Sequence, residues 1–280
     1  MPLEIFIIAI VVAASVPVFL IAKRALRKRR LVRWAAIPFP EEWEKVLERN
    51  VGLYRHLPDT LKEQLRNDIK IFVNEKHFEG LGGLEITDEI RVTIAAEASM
   101  LLLNRENSDY PGLSSILVYP SAYVAKQNTV IGGGAHIEGR SVRLGESWQH
   151  GSVVLAWDYV RQGAVNSEDG HNVVLHEFAH QLDQEDGISD GAPVLENRWS
   201  YAVWALIMSK EYERLRSSVE RHKKGVMDDY GATNPAEFFA VATETFFEKP
   251  LQLKKKAPDL YAELKDFYKV DPVEWLQDNP

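Results

Sequence analysis

Residues His176-Glu177-Phe178-Ala179-His180 place two imidazoles four positions apart, with a carboxylate next to the first. On a helix such positions share one face, one turn apart, so both rings can reach a single ion. Glu177 is rotated about 100° from His176 by the 3.6-residue turn, which sets its carboxylate beside that ion rather than on it. The chemistry this suits is one Zn2+ ion held by His176 and His180, with Glu177 as general base towards a water whose pKa the metal lowers. The neighbours Val173, Val174, Leu175, Phe178, Ala179 and Leu182 are apolar and predict a mostly buried helix. The same spacing occurs in unrelated helices as a surface pattern. Three ionisable groups in five residues of a buried helix, however, are costly without a partner, and a cation supplies one.

Two histidines leave a catalytic zinc one protein ligand short. The chain has no cysteine, so the third must be His, Asp or Glu, and no disulfide or thiolate chemistry is open to it. Asp183 and Asp186 follow closely; Asp183, three residues after His180, suits a partner of a ligand histidine better than a ligand. Glu237 is a distant alternative at the start of an apolar helix. Asn234 makes a good N-cap there, Pro235 fits the first helical position, and Glu237 then falls where capping-box glutamates sit. Spacing alone leaves ligand and cap both open. Glu244, seven residues on and on the same face, is the competing ligand or a supporting carboxylate.

The elements that must position these groups read as α+β. Residues 34–57 form a linker punctuated by Pro38 and Pro40 and a first helix over 41–49. A second helix is predicted over 59–78, with Leu61, Leu65, Ile69 and Phe72 on one face, and a third from Asp88 to Leu103. Between Leu113 and Trp157 the texture turns β-rich in SILVYPSAYVA, SVRLGES and SVVLAWDYV, predicting a small antiparallel or mixed sheet. The strand near 153–157 is a candidate edge for aligning an extended peptide. Helical patterns then return over 171–184, 198–222, 235–248 and 257–269.

Residues 5–22 carry no charge and would make a helix about 27 Å long, close to the thickness of a bilayer core. Seven Lys/Arg follow by residue 33, after the apolar run rather than before it as in a cleaved signal peptide. The expectation is an uncleaved single-pass anchor in the cytoplasmic membrane, with the carboxyl side in the cytoplasm. Residues 1–33 then form the anchor and its basic flank, and 34–280 the catalytic domain. The whole chain has a net charge of −8; past residue 33 there are 26 bases against 40 acids, a net of −14. An acidic body argues against nucleic acid as a partner.

The blocks HEFAHQLD at 176–183 and YGATNPAEFFAVATETFF at 230–247, with the preceding VVLAWDYV, resemble the Mlc titration factor A family of bacterial zinc peptidases. The likeness spans about residues 40–270. It implies a zincin-like metallopeptidase domain with a gluzincin-like site, similar in plan to the catalytic domain of anthrax lethal factor. In that plan Glu237 is the third zinc ligand, and Tyr230, seven residues earlier, donates its hydroxyl to the developing oxyanion. Family members are soluble proteins, and this chain departs from them by its apolar amino terminus. The family also binds the repressor Mlc; no motif for that partner can be matched here, so a regulator partner stays unidentified beside a peptide or protein substrate.

The rival readings are a membrane-tethered zinc protein that recruits a regulator, and a zinc hydrolase acting on a non-peptide amide or ester. The retained Glu177 and the open ligand position argue against the first. Gly132-Gly133-Gly134 lacks the ending of a phosphate loop and reads as a turn. His136, His150 and His171 read as loop or surface residues, 254–256 as a solvated charge run, and Trp199 and Trp204 as core or interface.

Overall fold

The computed structural model describes residues 36–105, 109–121 and 151–276 with their side chains, the backbone of 123–131, 135–143, 145–148 and 277–278, and positions 22, 25–27 and 29–34. The chain divides into two compact units, Met1–Phe39 and Pro40–Pro280. In the first, residues 29–34 are helical. The anchor expected over 5–22 lies, but for its last residue, outside the described residues. Among the described residues no helix is long and apolar enough to cross a membrane.

The second unit opens with α1 (Glu41–Asn50), α2 (Gly52–His56) and α3 (Asp59–Glu75), with Pro40 and Pro58 at the N-cap positions of α1 and α3. Leu65, Ile69 and Phe72 bury the inner face of α3. This helix stops three residues short of the predicted end. Lys76 turns extended, and its ammonium donates to the carbonyls of Asp109, Tyr110 and Leu113 at 2.8, 2.8 and 2.9 Å. Those bonds draw the chain out of the helix, and His77–Gly80 becomes a strand, β1. Helix α4 (Asp88–Met100) is capped by Thr87 rather than Asp88 and ends before Leu103. It is buried almost all round, as a helix between two layers must be.

The sheet is mixed. β1, β2 (Ser115–Tyr119) and β6 (Ser152–Ala156) run parallel, and β5 (Gly145–Trp148) joins β6 antiparallel, giving the order β1-β2-β6-β5. Every residue of β6 from Val153 to Ala156 is buried, the pattern of a strand covered on both faces. Two expectations are corrected here. The strand ends at Ala156, because Trp157 begins helix α5 (Trp157–Val165), with Asp158 in its first turn. And β6 lies between β2 and β5, so it offers no free edge; the edge on that side is β5. β3 (Tyr123–Ile131) and β4 (Ala135–Arg143) form a separate antiparallel ribbon; the Gly132–134 turn falls outside the described residues.

After α5 come α6 (Val173–Asp183), α7 (Arg198–Glu220), α8 (Pro235–Glu248), α9 (Pro250–Lys256), α10 (Pro258–Tyr268) and α11 (Pro272–Asp278). α8 is buried along nearly its whole length. Phe239 packs edge-on against Trp204 and Phe267 at 5.5 and 5.8 Å, and Phe247 against Tyr268 at 5.1 Å. Trp204 is therefore core, whereas Trp199 is 83% exposed. α6 packs on β5 and β6 on one side and on α8 on the other.

Candidate metal centre

α6 forms because Asn172 caps it, its Oδ1 accepting from the amides of Val174 and Leu175 at 3.1 Å each, and because its apolar residues are wanted on two sides. Phe178 closes an aromatic cluster, 4.8 Å from Tyr110 and 5.7 Å from Phe72 between ring centres. That packing fixes the rotation of the helix, so His176 and His180 both face α8. α8 is started by Asn234, whose Oδ1 accepts from Glu237 N at 3.0 Å, with Pro235 in its first turn. The cap geometry foreseen for Glu237 is thus present in its backbone, while its side chain turns to the histidines. The Glu237 side chain therefore does not reach back to the N-cap amide as a capping-box glutamate would.

His176 Nε2 lies 2.9 Å and His180 Nε2 3.4 Å from Glu237 Oε2, and the two Nε2 atoms are 3.2 Å apart. Three ligand atoms at about 2.0–2.1 Å from a tetrahedral zinc stand about 3.3 Å from one another. The donor set, two imidazoles and a carboxylate from residues 61 apart in sequence, fits such an ion. All three side chains are largely buried, at 14%, 11% and 18% exposure.

The charges show what draws the cluster together. Burial lowers the pKa of the His176 ring, but hydrogen bonds that the ring donates to Glu237 and Glu244, with the charges of Glu244 and Glu177, raise it well above its ordinary value. Burial raises the Glu237 carboxyl, but the two histidines hold it far below the usual carboxylate range. The site is built to keep positive charge among carboxylates, the balance a divalent cation requires.

Glu244 is the supporting carboxylate. Its Oε1 lies 2.8 Å from His176 Nδ1; a proton held there on Nδ1 would leave the Nε2 lone pair for a metal ion. Its Oε2 accepts from Asn172 N at 2.6 Å. Asp183 behaves otherwise than expected. It accepts from Gly191 N at 3.1 Å and Ser189 Oγ at 3.3 Å, while neither its Oδ1 nor His180 Nδ1 has a hydrogen-bond partner. Asp183 therefore ties down the following loop rather than orienting His180. Gly191 needs to be glycine there: its φ is +80° and a Cβ would stand 2.4 Å from Pro235 O. Glu177 is 6% exposed and sits beside His176 on α6. Tyr230 lies on the short 3-10 turn Asp229–Ala232, its ring 6.0 Å from that of His176, and is 54% exposed. His171 is exposed, its Nε2 3.8 Å from Asp228, and it does not belong to the group of His176, His180 and Glu237. Asp186 caps the backbone of Ile188 and does not join the cluster.

The profile of the family described as glucose-regulated metallo-peptidase M90 matches residues 23–269. The chain belongs to that family. A Yersinia pestis protein named Mlc titration factor A is 30% identical over 249 residues, covering 85% of this chain and 90% of its own, and a Yersinia pseudotuberculosis protein of the same name matches equally. An uncharacterized Synechocystis protein is 41% identical over 237 residues, 84% of this chain and 86% of its own. Membership bears out the resemblance carried by the two sequence blocks. The family is one of metallopeptidases, and His176, His180 and Glu237 form a group that could hold a metal ion.

Sequence reasoning missed Asn172, Glu97 and Glu248. Asn172 had a signal, an N-cap residue directly before an apolar run. Glu97, a lone acid in the Ala-rich stretch of α4, and Glu248, four residues after Glu244, had only weak ones.

Proposed function

We propose that this chain is a zinc-dependent peptidase that cleaves peptide or protein substrates at the centre formed by His176, His180 and Glu237. The convergence of those three ligand atoms within one coordination sphere carries the reading. Bound there, a zinc ion would lower the pKa of a coordinated water towards neutrality and polarise a scissile carbonyl. Glu177, buried beside the pair, takes the proton of the attacking water and passes it to the leaving amine. Tyr230, exposed at the rim, donates its hydroxyl to the developing oxyanion. β5, the edge strand among the described residues, adjoins α6 and suits an extended peptide added as a further strand. Residues 5–22 with the basic flank to residue 33 serve as a single-pass anchor, leaving the catalytic unit in the cytoplasm.

A second reading rests on the name of the relatives: a tethered zinc protein whose main task is to bind a regulator. One experiment separates them. Bound zinc and cleavage of a peptide panel are measured for wild type, Glu177→Gln and Glu237→Ala. The peptidase reading expects one zinc per chain, cleavage lost with zinc retained in Glu177→Gln, and zinc lost in Glu237→Ala. Zinc bound without cleavage of any peptide by wild type favours the regulator-binding reading.

A further inference from the structure

Asn172 is 1% exposed, and every polar group it owns is engaged. Its Oδ1 caps α6, and its carbonyl accepts the first helical bond, from His176 N at 2.9 Å. Its backbone amide donates to Glu244 Oε2 at 2.6 Å. Its side-chain amide donates to Glu97 Oε2 at 2.6 Å and to Glu248 Oε1 at 3.1 Å. The three acceptors belong to two other helices: Glu97 to α4, and Glu244 and Glu248 to α8, which also carries Glu237. A Cβ on Gly163 of α5 would stand 3.0 Å from Asn172 Cα, so the joint is closed from that side as well.

Capping alone does not require asparagine. Ser, Thr or Asp would cap the same two amides. Among these, only asparagine adds an NH2 group, and here its two protons are spent on two buried carboxylates. Removing that donor would leave both buried carboxyl groups with one hydrogen-bond partner fewer. Glu248 keeps the amides of Gly170 and His171, at 2.9 and 3.1 Å. Glu97 has no other donor among its hydrogen bonds, and its Oε1 has no partner.

We propose that Asn172 is a positioning residue of the metal centre, its side-chain amide clamping the start of the metal helix to α4 and α8 so that His176 and His180 are held against Glu237. It acts through the helix and through Glu244, not by touching metal or substrate. The proposal rests on the zinc-peptidase reading.

The test uses the full chain with Asn172→Ser, Asn172→Asp and the pair Asn172→Asp with Glu97→Gln. Zinc affinity is read by chelator competition, ligand geometry by the visible absorption of the cobalt-substituted protein, and folding by circular dichroism. Asn172→Ser keeps a cap and loses the donor; zinc affinity should fall about 10–100-fold, with an altered cobalt spectrum, while the fold is retained. Asn172→Asp sets a third carboxylate against Glu97 and Glu248 and should fall further. In the double variant the amide introduced by Glu97→Gln supplies the donor that position 172 has lost, and most of that fall should be recovered. Wild-type zinc affinity and spectrum in folded Asn172→Ser, or a folded double variant no better than Asn172→Asp, would overturn the clamp. A wild-type protein that binds no zinc would overturn the peptidase reading with it; wild type that binds zinc and cleaves peptides, with unchanged variants, would overturn the clamp alone.

Discussion

Glu244 joins His176 Nδ1 to the backbone amide of Asn172, so one side chain holds both a ring of the candidate metal centre and the start of its helix. Glu244→Ala should lower zinc affinity about 10–100-fold, read by chelator competition, and unchanged affinity would deny Glu244 this part. Glu97 lends itself to a pH test. Burial pushes its carboxyl up to about 7, partly offset by the amide of Asn172. A carboxyl whose pKa is higher folded than unfolded contributes stability while protonated, and that contribution is lost as pH rises between the two values. Stability should therefore fall from about pH 4.5 to about pH 7 on this account. Glu97→Gln, which keeps an acceptor for Asn172, should be more stable than wild type at pH 8 by roughly 1–3 kcal/mol and no more stable at about pH 4. Urea unfolding at the two pH values measures it; an equal difference at both would show that Glu97 does not titrate in this range.

At the scale of elements, α6 and α8 were both legible, because each couples a cap, Asn172 or Asn234, to an apolar run. The histidine pair on α6 was readable from spacing, and the backbone cap at Glu237 likewise. What spacing could not supply was the direction of the Glu237 and Asp183 side chains, which depends on how α6 and α8 cross and on where the loop 187–197 returns. The sheet was read less well. β1 was hidden because no glycine or proline interrupts the chain between α3 and Gly80, and the carbonyls gathered by Lys76, which draw the chain out of the helix, are distant in sequence. The mistaken edge arose because chain order says nothing of sheet order: β5 precedes β6 in sequence yet lies outside it. The return loop offers its own test. Gly191→Ala places a Cβ against Pro235 O at a left-handed φ and should cost at least about 1–3 kcal/mol in urea unfolding. A loss near zero would mean the loop moves freely away from α8.

Across the whole molecule, the expected anchor, its seven cations and the acidic remainder divide the chain's charge sharply. If residues 1–33 hold the protein at a bilayer, deleting them should release it to the soluble fraction on cell fractionation while leaving peptide cleavage by 34–280 unchanged. Retention of the truncated protein in the membrane fraction would place the attachment elsewhere.

The ligands on α6 and α8 stand 61 residues apart in a chain with no cysteine, so a bound ion would be its one cross-link. Closing a loop of that length restricts the unfolded chain by about 4 kcal/mol in the chain-entropy account of such links. The metal would then be a staple as well as a reagent. Stripping it with a chelator should lower the melting temperature and open the closed loop, residues 181–236, to protease before the rest of the unit. On that reading a shortage of the ion would cost the chain its firmness and its proposed activity at once.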